Sequence, residues 1–222
     1  MELTAKQTTD ASRPDKHTAR QNPAKKLLTT KNMVLMAMFG ALSGVLMYFQ
    51  FPVPFAPPFY QLDFCDVPVL IGSFALGPVA GMVIAGIKIL INLVMTGTST
   101  AGVGEFSNWV QACSLAVPAA LIYKHHKSRN SAFLGMAAGV VIMVMVGCFT
   151  NAFVMLPVYA AAFHMPIEKL VAMGTAVNPG INSLTGFIML AVLPFNLLKG
   201  TLVSLITALI YKRVSIIIKG RF

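Results

Sequence analysis

The chain has 222 residues, of which 56% are hydrophobic and only 11% are charged, with a mean hydropathy of +0.74. Water-soluble domains carry about 25% charged residues, so the composition excludes an ordinary soluble enzyme and points to a single all-α integral membrane domain. The formal net charge of +10 is not a nucleic-acid signature: seven of the 17 Lys and Arg fall in the first 32 residues, and most others stand between or after apolar runs, where positive charge orients a membrane protein.

Residues 1–32 read as a basic, flexible cytoplasmic tail, with no apolar core early enough for a cleavable signal. The first apolar run, Met33 to Phe51, is long enough to span. It interleaves Ala37-x-x-x-Ala41 with Gly40-x-x-x-Gly44, small residues that let another helix approach closely, whether a partner's or the chain's own. Four prolines and several aromatics then make residues 51–66 a stiff non-helical loop, suited either to covering a pocket mouth or to connecting spans with an interfacial aromatic belt. Asp66 precedes an apolar helix start and is expected to cap it.

The run Val67–Met95 is broken at Gly77-Pro78 into a short helix and a longer one, because Pro favours the first helical position. Lys88 interrupts the second; it is expected to snorkel, to pair with Glu105 (the only acid near a neighbouring span), or to touch a ligand. A small-residue loop at 96–104 follows, whose Gly102 and Gly104 complete no dinucleotide fingerprint. The next spans are Glu105–Tyr123, ending in the basic hinge Lys124–Arg129, and Ser131–Ala162, with Asn151 inside it. Adjacent His125 and His126 point to different helix faces, which argues against a metal site. A connector at 163–183 leads to the last span, Leu184–Tyr211, and a basic cytoplasmic tail that includes residues 216–222. The expected fold is therefore six transmembrane helices over residues 33–215 with both termini cytoplasmic, since the ends and the 124–129 hinge share one Lys/Arg-rich side. Cys65, Cys113 and Cys148 are scattered and odd in number, and read as small buried hydrophobes.

Catalysis has little to stand on. The sequence contains no phosphate loop, no His-Glu-x-x-His, no paired intramembrane carboxylates and no inverted repeat with matching broken helices. The informative stretch is Leu193-Pro-Phe-Asn196-Leu-Leu-Lys199-Gly200, where an amide and an ammonium share one helix face inside an apolar run. Such groups cost about 2.5–3.5 kcal/mol on insertion scales and usually line a pocket or pathway; interhelical bonding by Asn196 and snorkelling by Lys199 are the alternatives. A carboxamide both donates and accepts while an ammonium only donates, so the pair is expected to hold a polar, largely flat ligand inside the helical bundle.

Several stretches together carry a resemblance: Leu62-Asp-Phe-Cys-Asp66-Val-Pro68, Leu70-Ile-Gly72, Gly77-Pro-Val-Ala-Gly81, Lys88, Gly104-Glu105, Asn151 and Pro194–Gly200. Over roughly residues 33–215 the chain is similar to the substrate-binding (S) components of energy-coupling factor vitamin transporters, and among these to the riboflavin-specific member. The resemblance implies a six-helix S-component bundle in a bacterial-type cell membrane, with riboflavin as transported ligand held near the outer face and no resident cofactor. It implies substrate contacts from Asn151, Asn196 and Lys199, with Leu62, Asp63, Phe64, Lys88 and Thr98 as further candidates. It also implies docking of a transmembrane coupling protein on the small residues Ala37, Gly40, Ala41 and Gly44, with two ATPase subunits as separate chains. The long basic tail and the 163–183 connector depart from the family pattern. Another vitamin on the same fold, or a stand-alone secondary transporter, are the competing readings.

Overall fold

A computed structural model describes residues 29–57, 60–98, 100–162 and 164–218; the basic tail expected over residues 1–32 lies outside the described residues as far as residue 28, and the C-terminal tail from residue 219. Helix α1 is Thr30–Tyr48. The proline-rich loop after it is pinned by a two-residue ladder, β1 (Phe51–Pro52) against β2 (Gln61–Leu62), antiparallel with Phe51 opposite Leu62. Helices α2 (Asp66–Leu76) and α3 (Pro78–Thr96) follow, separated by Gly77 at φ +105°, a conformation an L side chain rarely adopts, with Pro78 opening α3.

Helix α4 is Val103–His125. Helix α5 runs Arg129–Ala162 and contains a π-helical turn at Asn151–Met155. Helix α6 is Ile167–Val177. Helix α7 begins at Leu184–Phe187, passes through a second π-turn at Ile188–Val192, and continues as Leu193–Ile218.

The described residues thus form seven helical stretches rather than the six expected. The addition is α6, inside what reads in sequence as a plain connector. Leu170 and Gly174, four residues apart, give it one apolar face, and Gly174 meets the ring of Phe187. Four stretches (α1, α3, α5 and α7) are long and apolar enough to cross a membrane by length and composition. Helix α2 is a shorter apolar helix, and α4 is diluted by Glu105, Asn108 and Gln111, the face that belongs to the site.

Two hydrophobic clusters divide the bundle. One joins α1–α5 and the middle of α7 around Leu70, Ile84, Leu115, Met143 and Val203. The other joins the loop, α5, α6 and the start of α7 around Tyr60, Leu156, Leu170, Phe187 and Phe195.

Close helix approach explains much of the packing. Gly40 and Gly44 receive the branched side chains of Ile87 and Ile91, so these two glycines serve the chain's own α1–α3 contact. Ala37 and Ala41, in contrast, stand exposed beside Met38, Leu42 and Val45. Of the four small residues proposed from sequence for docking, the two glycines are therefore taken up by the chain's own packing and the two alanines are left exposed along the edge of the same stripe. A second pair, Gly135 and Gly139, lets α5 lie against the backbone of α4: a Cβ on Gly139 would stand 2.4 Å from the Leu115 carbonyl oxygen. Gly139→Ala is expected to cost about 1–3 kcal/mol, because backbone rather than a flexible side chain must move. Gly86→Ala, whose added carbon meets nothing closer than Trp109 at 3.7 Å, is expected to be neutral. Thermal melting of the two variants in detergent checks the contrast; equal melting points would contradict it.

Candidate functional site

The site is built where the proline-rich loop enters α2. Asp63 and Asp66 are both buried there, facing Lys88 from α3 and Lys199 from α7. Lys88 Nζ donates to Asp66 Oδ1 at 2.8 Å, to Asn108 Oδ1 at 3.0 Å and to Cys65 Sγ at 3.4 Å. Lys199 Nζ lies 3.0 Å from Asp63 Oδ2 and 3.7 Å from Asp66 Oδ2. Asp63 Oδ1 also accepts from the Cys65 amide at 3.1 Å, which fixes the loop against the helix start. Two ammonium groups and two carboxylates balance in charge, which makes their burial tolerable.

This network corrects two expectations. The partner of Lys88 is Asp66, not Glu105, whose carboxylate accepts from Thr98 Oγ1 at 3.0 Å and is 3.5 Å from Thr100 Oγ1. Cys65, not Asp66, holds the N-cap position of α2, and the Asp66 carboxylate turns to the lysines instead. The reason is the fold around Gly77: α2 and α3 double back on each other, so the start of α2 lies beside the middle of α3, and a fully buried Lys88 needs its carboxylate there. Asp63, Cys65 and Asp66 could together offer a cation ligand atoms within 4.8 Å of one another. Their carboxylates are already neutralised by Lys88 and Lys199, so the group is better suited to ion pairing than to a metal.

Above the network lies a cavity of about 330 Å³, at the low end of small-molecule sites. Asn151, Asn196, Lys199 and Asp63, all singled out from sequence, line it. The other candidates do not. Leu62 packs against the cluster around Tyr60 and Phe187, Phe64 packs against the cluster around Leu70 and Ile84, Lys88 sits behind the wall, and Thr98 is exposed between α3 and α4, accepting from the amides of Thr100 and Gly102.

Two π-turns shape the polar wall, in keeping with the frequency of such turns at functional sites. Asn151 opens the first; its Nδ2 donates to Gly147 O at 2.8 Å while its Oδ1 accepts from the Tyr60 hydroxyl at 2.6 Å. Asn196 follows the second; its Nδ2 donates to Val192 O at 2.9 Å. Burial, reinforced by Tyr159 and Cys148, pushes the Tyr60 phenol well above its ordinary pKa, so it stays a neutral donor. Its ring packs on Phe195, with centroids 5.1 Å apart.

Sequence reading missed Tyr60, Phe195, Met155 and Tyr159 as lining groups, and the amides Asn108 and Gln111 on α4. The α4 signal was present: Glu105, Asn108 and Gln111 recur every three residues, one polar stripe on one helix face.

Comparison with known proteins places this geometry in context. Residues 31–211 match the family described as ECF transporter, substrate-specific component. The chain is 33% identical over 189 residues to the riboflavin transporter RibU of Staphylococcus aureus (strain TCH60), spanning 85% of this chain and 93% of that protein. It is 30% identical to the riboflavin transporter FmnP of Bacillus subtilis (strain 168), over 83% of this chain and 92% of that one. A solved structure of the S component of a bacterial ECF transporter superposes with a TM-score of 0.66 at 32% identity, covering 85% of this chain and 98% of the other.

Proposed function

Given that the chain belongs to the family of ECF transporter substrate-specific components, we propose that it binds riboflavin and serves as the riboflavin-specific membrane subunit of an ATP-driven vitamin importer. One observation carries the reading. On α7, Asn196 lines the cavity with one amide N–H held by Val192 O and its Oδ1 available as an acceptor, and the Lys199 ammonium stands three residues further along the same face. An acceptor beside a donor is the complement of a flavin's polar edge, where an imide N–H stands next to a carbonyl. Asn151 and the Tyr60 and Phe195 rings complete a wall that is polar toward the heteroatoms and aromatic toward the ring face. Relatives that match 85% and 83% of the chain are named as riboflavin transporters, which supports the same substrate.

In this reading α1, α3, α4, α5 and α7 cross the membrane of a bacterial-type cell, the 11-residue α2 covers only part of its thickness, both termini are cytoplasmic, and residues 33–215 form the binding domain between basic cytoplasmic tails, in agreement with the distribution of Lys and Arg. The loop over residues 51–66 covers the vitamin at the outer face. The exposed Ala37 and Ala41 face of α1 receives the transmembrane coupling protein. Two ATPase subunits, separate chains, supply the energy, since this chain has no phosphate loop of its own and is not an enzyme. Riboflavin is cargo, and no resident cofactor is needed.

The direct test is titration of the full chain, purified in detergent, with riboflavin. Saturable quenching of flavin fluorescence at equimolar protein and a ligand-induced rise in melting temperature are the expected results. A chain that ignores riboflavin but is stabilised by another vitamin would keep the fold and overturn the substrate. Proton-driven uptake by vesicles holding only this chain would overturn the partnership.

A further inference from the structure

Lys88 is completely buried, and its Nζ has three partners, Asp66 Oδ1, Asn108 Oδ1 and Cys65 Sγ. An ammonium only donates, so the atom it meets on Asn108 must be the carboxamide oxygen, which removes the usual ambiguity in which way round an amide sits. Asn108 itself is half-buried and lines the cavity from α4. With its oxygen held from behind, the part of the carboxamide left for the cavity is the Nδ2 amine, a double donor. Among the described residues no hydrogen-bond acceptor for that amine is found.

Its place in the site follows from Asp66. One oxygen of that carboxylate takes Lys88, and the other lies 3.7 Å from Lys199 Nζ. Asn108 and Lys199 therefore flank the same ion-pair network from α4 and α7, and each lines the cavity with a donor group.

We infer that Asn108 is a further ligand-binding residue, donating through Nδ2 to a carbonyl oxygen or ring nitrogen on the polar edge of the bound heterocycle, with Lys88 holding the amide that way round. The identity of the ring rests on the riboflavin reading above. The inference adds a recognition element from α4, opposite in polarity to Asn196, so that the edge of the ring is read by donors from two helices and an acceptor from one of them.

The test titrates the full-length chain, Asn108→Ala and Asn108→Asp with riboflavin and with lumiflavin, which keeps the ring edge and lacks the ribityl chain. Both variants are expected to bind both flavins about tenfold or more weakly. Ligand-free melting of Asn108→Ala should fall only modestly, because Lys88 keeps Asp66 and Cys65 as partners, whereas Asn108→Asp should melt lower, because it adds a third carboxylate to a network balanced at two against two. Affinities within twofold of the parent in a folded variant overturn Asn108 as a ligand contact. A loss confined to riboflavin overturns the assignment to the ring edge, because the contact would then be with the side chain. Failure of the parent chain to bind either flavin refutes the riboflavin reading, and so is told apart from failure of Asn108.

Discussion

Lys88→Met is expected to cost about 3–5 kcal/mol, the usual penalty for removing one partner of a buried ion pair. The substitution leaves Asp63 and Asp66 with Lys199 as the ammonium facing both, so one carboxylate stays buried without a full counter-charge. Met matches the shape of the lysine stem, so lost packing is a small part of the effect. The cost should largely vanish in Lys88→Met combined with Asp66→Leu, where both members of the pair become apolar and Lys199–Asp63 remains matched. Combination with Glu105→Gln should rescue nothing, since Glu105 bonds Thr98 instead. Melting of the detergent-purified variants decides the matter. Rescue by the Glu105 change, or none by the Asp66 change, would contradict the pairing described above.

The second large effect is on the ligand. Asn196→Leu keeps the volume of the side chain and removes the acceptor beside Lys199, so riboflavin affinity should fall by roughly 5–150-fold, equivalent to about 1–3 kcal/mol for an unsatisfied buried partner. The ligand-free protein should lose little, because the Asn196 side-chain bond is to Val192 on its own helix. Asn151→Leu should differ in kind: it also strips the acceptor from the buried Tyr60 hydroxyl, so melting temperature and affinity should drop together. Fluorescence titration and melting on the same preparations separate the two patterns. Unchanged riboflavin affinity in a folded Asn196→Leu chain would remove the central observation behind the proposed substrate.

The division between the two levels runs through particular residues. Hydropathy, the break at Gly77-Pro78 and the three-residue spacing of Asn196 and Lys199 are local properties, so the sequence by itself determined the apolar helices, the α2–α3 boundary and the shared face of that pair. It did not determine which carboxylate neutralises Lys88, which small residues of α1 are taken up by Ile87 and Ile91, or that the 163–183 connector folds a helix onto Phe187. These depend on how far each helix is rotated and how deep it sits relative to its neighbours. Only the packed bundle, with α2 doubled back along α3, brings Asp66 to Lys88 and sets Asn108 between that lysine and the cavity.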